Sequence, residues 1–370
     1  MGWMIFITVI SKRMEIVNNL SDRIRKLKDS SFIRSIRSAL SVGERPAYEY
    51  HSGTPGPFAV MIKKEISDHI RSWRFIILFV IIILACLGSV LSGLQGFSNA
   101  VKAAGRDEES FFFLRLFTAS DETLPSFFVF ISFLGPLLGI AMGFDAINME
   151  ENKGTMSRIM SHPIHRDNII IAKFVAAIAV LSVMFFFLGF ITIGLGIITI
   201  GIPPTPQEFL RIMSFIILSI LYVSFWLSLS IFFSVRFRQP ATSALSGIAV
   251  WLFLTVFYSI IVSVIAKAAA PSEMASTQQV MKYQQVIVGL FRILPSELYS
   301  DATTTLLVPT VRSLSPLTPE KIYGAIPNAS LPLGQSILIV WPQITGLIAA
   351  TIICFVISYV TFMKREIRSR

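Results

Sequence analysis

Histidine and cysteine are the side chains of this 370-residue chain best suited to hold a metal or act as nucleophiles, and their spacing argues against both roles. His162 and His165 stand three residues apart, a spacing that can place two ligands on one helical face. Pro163 separates them, however, and no third ligand is close in sequence. Cys86 and Cys354 lie in separate apolar blocks and imply no disulfide framework. No H-E-x-x-H metal helix, no G-x-S-x-G elbow and no G-x-x-x-x-G-K-S/T phosphate loop occurs. The chain is therefore not read as an enzyme, and no catalytic, metal or cofactor residue is assigned. If ATP and Mg drive it, a separate polypeptide binds them.

One polar stretch stands out, EENKGTMSRIMSHPIHRDN at 150–168. It carries charges of both signs, a Gly-Thr step and a short helical run that stops before Pro163. Thr155 is an expected helix cap. Met156, Ile159 and Met160 form an expected apolar face. Arg158, with Glu150 and Glu151 before the turn, is suited to setting register against a charged partner.

The elements that position this stretch are apolar. The chain is 54% hydrophobic and only 15% charged, with its apolar residues in uninterrupted blocks. That pattern gives an all-α integral membrane protein rather than a soluble domain. Six spans are expected, at about 75–94, 126–146, 169–200, 209–235, 241–266 and 342–363. Residues 267–341 form an external segment between spans five and six. Within it, apolar positions from Val280 to Leu294 follow a helical period, as for a helix lying on the bilayer. A second helix follows, from Pro295 to Pro309, with Ser296 as its expected cap.

An even number of spans puts both termini on one side. Lys and Arg number 23 on the side of the termini and the 150–173 loop, against 9 on the other. That excess makes both termini and the loop cytoplasmic, in a multi-pass plasma-membrane protein. The net charge of +10 follows this topology and does not imply nucleic acid. Residues 1–60 form a separate arm and linker, with a basic amphipathic helix over Ser11–Leu40 suited to an anionic leaflet. Spans one, five and six hold no charged residue in their interiors, which disfavours an intramembrane proton relay. In span two, Gly135, Gly139 and Gly143 recur every four residues and make a groove for a close helix contact, within the subunit or across a dimer. Pro136 beside them requires a neighbour to satisfy the carbonyl it frees.

At Glu150, Gly154 and Thr155, the short helix Met156–Ser161, Pro163, Arg166 and the early Lys173 of span three, the chain resembles the type-2 ABC exporter permeases. SWRF at 72–75, RILPSELY at 292–299 and SYVTFMKREI at 358–367 extend the resemblance over about 61–370. The nearest subgroup is the one containing the nitrous-oxide-reductase maturation and sodium-exporter permeases. The resemblance implies a six-span permease domain whose 150–166 loop is a coupling helix docked on a cytoplasmic ABC ATPase. It also implies a second permease subunit, identical or similar. A mechanotransmitting membrane subunit acting on an external protein is the alternative within the class, and a non-transport membrane scaffold the alternative outside it.

Overall fold

The computed structural model describes residues 56–103, 111–118, 125–161, 165–201, 203–271, 276–310 and 331–365. The expected amphipathic arm lies outside them, as do residues 311–330 of the external segment and the tail beyond Arg365. The described chain is helical throughout. In order the helices are α1 (Pro57–Ile70), α2 (Trp73–Ala103), α3 (Phe112–Thr118), α4 (Phe127–Gly143), α5 (Asn148–Asn152), α6 (Thr155–Ser161) and α7 (Arg166–Ile200). There follow α8 (Pro206–Arg236), α9 (Pro240–Leu252), α10 (Tyr258–Ala268), α11 (Thr277–Phe291), α12 (Pro295–Leu307) and α13 (Leu333–Lys364). A single π-helical turn, Phe253–Phe257, joins α9 to α10 as one continuous span.

Six helical stretches are long and apolar enough to cross a bilayer: α2, α4 with α5, α7, α8, α9 with α10, and α13. The expected spans are all present; α2 runs nine residues past the expected end of the first, and the sixth starts early. Its helix begins at Leu333, nine residues before the expected start, and runs through Pro342. Proline is tolerated inside a membrane helix when its surroundings re-satisfy the backbone, so the helix need not begin at that residue. The external segment shortens accordingly.

Span four is the core. Of its most apolar stretch 72% is buried, against 11% for span five. α8 packs against α4, α7, α9, α12 and α13. The glycines of α4 make its closest approach to α8. A Cβ on Gly139 would stand 2.8 Å from the Val223 carbonyl oxygen, and one on Gly143 would stand 2.9 Å from that of Leu227. The groove read from the sequence is thus filled by a helix of the same chain. Small residues substitute for the hydrophobic drive that lipid-exposed helices lack, and hydroxyls reinforce the contact. Ser230 Oγ donates to the Ile140 carbonyl at 2.9 Å, while Ser234 Oγ accepts from the Ile147 amide at 2.9 Å.

Pro136 removes the amide that would bond the Ser132 carbonyl. The Tyr222 hydroxyl of α8 donates to that carbonyl instead, at 3.0 Å. Tyr222 in turn stacks on Tyr299 of α12, with ring centroids 4.4 Å apart and planes within 11°.

α12 is a packed helix rather than a surface loop, with Tyr299, Ala302 and Leu306 buried against α8 and α13. Its N-cap is Leu294, not Ser296, because Pro295 takes the first helical position where its missing amide costs nothing. α11 carries no buried residue and opens with a capping box between Ser276 and Gln279. Arg211 is fully buried at the start of α8. Its guanidinium donates to the Leu306 carbonyl at 2.8 Å, to Ser336 Oγ at 3.2 Å and to the Leu331 carbonyl, tying α12 and the start of α13 to α8.

Candidate coupling segment

The polar stretch between spans two and three folds as two short helices joined by a glycine turn. α5 ends at Asn152. Gly154 follows with φ +67°, a left-handed backbone that residues with a Cβ rarely adopt. No atom lies within 4 Å of where a Gly154 Cβ would be, so the glycine is needed for its backbone angle and not for space. Thr155 is the first residue of α6 and not an N-cap, and its hydroxyl donates backwards to the Glu150 carbonyl at 3.2 Å. α6 ends at Ser161. His162 and Pro163 lie outside the described residues.

The charges flanking this turn are bound inside the chain. Lys173 Nζ, two turns into α7, donates to Glu150 Oε1 at 2.7 Å and to Glu65 Oε2 at 2.9 Å. Lys64 donates to the other Glu65 oxygen at 2.9 Å and stands 3.3 Å from Glu150. The group joins α1, α5 and α7, and the side chains of Lys173 and Glu65 are each only 6% exposed. Burial pushes the Glu65 carboxyl up, but Lys173 and Lys64 outweigh that and hold it below the ordinary carboxylate range. Burial likewise lowers the neighbouring His69, against the opposing pull of Glu65.

A second set of contacts joins the turn to the ends of α8 and α13. Glu151 pairs with Arg365 at 2.8 Å, and Asn152 donates to the Arg238 carbonyl at 2.9 Å. Arg166 donates to the Arg365 carbonyl at 2.9 Å and lies over the Phe362 ring. Arg74 at the start of α2 pairs with Asp145 at 2.6 Å.

Within the chain, Glu150 and Glu151 are engaged by Lys173, Lys64 and Arg365. Met156 is 1% exposed and Ile159 packs on the core, so the apolar face of α6 covers its own bundle. The outward face carries Asn152, Lys153, Gly154 and Arg158. The side chain of Met160 lies outside the described ones.

Sequence reading missed Glu65, Lys64 and Arg365 as partners. One signal was present: Glu65 falls on the same α1 face as Phe58, Met61, Ile62 and Ile66. An acid on an apolar stripe needs a buried cation.

Six membrane-length helices, with a helical turn held by ion pairs at the ends of spans two and three, define a multi-pass membrane protein. Residues 59–367 match the family described as "ABC-2 family transporter protein". The chain belongs to that family. Two relatives carry the name "Probable ABC transporter permease protein NosY". The one from Stutzerimonas stutzeri is 27% identical over 203 residues, which is 53% of this chain, and the one from Pseudomonas aeruginosa is 26% identical over 201 residues, 54% of this chain. The chain spans 66% of the length of each relative.

Proposed function

We propose that this chain is the membrane permease subunit of an ATP-driven ABC exporter, coupled through residues 150–166 to a separate cytoplasmic ATPase. The observation that carries the reading is the double anchoring of the α5–α6 turn. Ion pairs run from Glu150 to α1 and α7, and from Glu151 to the end of α13. A partner pressing on the outward face of α6 would therefore move several spans together as a rigid body. The family membership and the permease relatives support a transporter role. The basic excess on this side of the bundle supports its cytoplasmic orientation. In this reading ATP and Mg belong to the ATPase, and a second permease subunit, identical or similar, completes the pathway.

The packed external helices favour keeping one second reading. α12 is held to α8 and α13 by Arg211 and the Tyr222–Tyr299 stack, so motion of α8 would reach the external segment. The stroke would then act on an external protein instead of a small cargo.

The test is isolation of the tagged chain from native membranes. An ATPase with a phosphate loop should copurify, and Gly154→Val should lose it while Gly154→Asn, which tolerates the left-handed backbone, retains it. Recovery of the chain without any such ATPase overturns the proposal.

A further inference from the structure

Beside the coupling turn lies a polar cleft of about 660 Å³, walled by α1, the start of α2, the α4–α6 region and α7. Its four carboxylates are all matched: Glu65 and Glu150 by Lys173 and Lys64, Asp68 by Lys64, and Asp145 by Arg74. Six cationic side chains line the same cleft. Two of them, Arg71 and Lys153, are exposed and enter no ion pair among the described residues. The cleft therefore carries unmatched positive charge.

A second, apolar groove of about 340 Å³ opens next to it, between Ile66 and Ile70 of α1, Phe75 and Phe79 of α2, and α7 from Ala179 to Phe187. Phe75 lines both cavities, which are therefore neighbours. The groove extends about 12 Å along α7 at the usual helical rise. Its floor and far wall belong to two membrane spans, and Val183 in it is 71% exposed.

We infer that cleft and groove together bind one anionic glycerophospholipid. Its phosphate sits at Arg71 and Lys153, and an acyl chain lies in the α1–α2–α7 groove. A soluble anion would have no use for the groove, and a neutral lipid none for the unmatched cations. The lipid would fill the space between α1 and the two spans it crosses. The lipid site shares Lys153 with the face assigned above to the ATPase, and the detergent-purified chain tests it without that partner.

The test uses the purified full-length protein in detergent, with native mass spectrometry reading bound lipid. Phosphatidylglycerol, phosphatidylcholine and glycerol 3-phosphate are the probes. Phosphatidylglycerol should be retained in preference to phosphatidylcholine. Arg71→Gln and Lys153→Gln should each weaken it about fivefold, the pair about twenty-five-fold. Val183→Trp, or Phe187→Ala if the first is not monodisperse, should weaken the lipid without creating affinity for glycerol 3-phosphate. Equal retention of the two lipids overturns the inference, as does unchanged binding in the double variant. Full competition by glycerol 3-phosphate assigns a free-phosphate site and overturns the lipid.

Discussion

Lys173 Nζ lies 2.7 Å from Glu150 Oε1, and this one contact joins the third span to the turn that follows the second. Because Lys173 also holds Glu65 at 2.9 Å, the loss of the lysine leaves two largely buried carboxylates with the half-exposed Lys64 as their one remaining cation among the described residues. Breaking a buried pair from one side costs about 3–5 kcal/mol. Lys173→Met should be destabilised by that order in detergent unfolding. The triple replacement Lys173→Met, Glu150→Gln, Glu65→Gln should recover most of the loss, whereas an equally unstable triple variant would show that the pairs are incidental.

Tyr222 gives a second prediction. Its hydroxyl replaces the proline-deleted amide at the Ser132 carbonyl. Tyr222→Phe should cost about 1–3 kcal/mol, since a buried acceptor loses its donor. In a Pro136→Ala background, where the helix can make its own bond, the same change should cost clearly less. Thermal melts of the four proteins in the cycle measure the difference.

The glycines of α4 are not equivalent. At Gly139 and Gly143 an added Cβ meets backbone oxygens of α8, at 2.8 and 2.9 Å, which cannot rotate away. At Gly135 the closest atom is Val223 Cγ2 at 3.0 Å, the end of a side chain. Gly139→Ala and Gly143→Ala should therefore each cost about 1–3 kcal/mol by overpacking. Gly135→Ala should cost less. A reversed order in melting temperature would contradict the packing described.

Acid should loosen α1. His69 and Glu65 both titrate below their ordinary values of 6.5 and 4.5 in the folded chain. The unfolded chain then binds more protons, so stability is complete above pH 6.5 and falls as pH drops below it, first through His69 and then, below 4.5, through Glu65. The charged groups acting on His69 are Glu65, Lys173, Asp145 and Asp68. His69→Gln should flatten the melting-temperature profile between pH 7 and 5 (about one unit either side of the imidazole range). A wild-type profile that is already flat there would refute the assignment.

The six spans were legible because each is a long apolar run, and hydropathy alone marks such runs. The glycine groove and the need for a donor near Pro136 were also legible, since both follow from backbone geometry. Which helix filled the groove was not, because Val223, Leu227 and Ser230 look like any other membrane-helix residues in sequence. The turn between α5 and α6 was visible in Gly154 and its flanking charges. The partners of those charges were hidden, since Glu65 and Arg365 lie 85 and 214 residues from Glu150 and Glu151. The packing of Met156 was hidden for a related reason: helical spacing identifies an apolar face but not which of two neighbours it covers. The start of α13 was missed because Pro342 stops a soluble helix more reliably than a membrane one.

Site-directed crosslinking tests the central claim most directly. A single cysteine at Lys153, on the outward face of the α5–α6 turn, should crosslink in native membranes to an ATPase bearing a phosphate loop. A cysteine at Gln284 on α11, at the opposite end of the bundle, should not. Crosslinking of that ATPase from Gln284 and not from Lys153 would contradict the account.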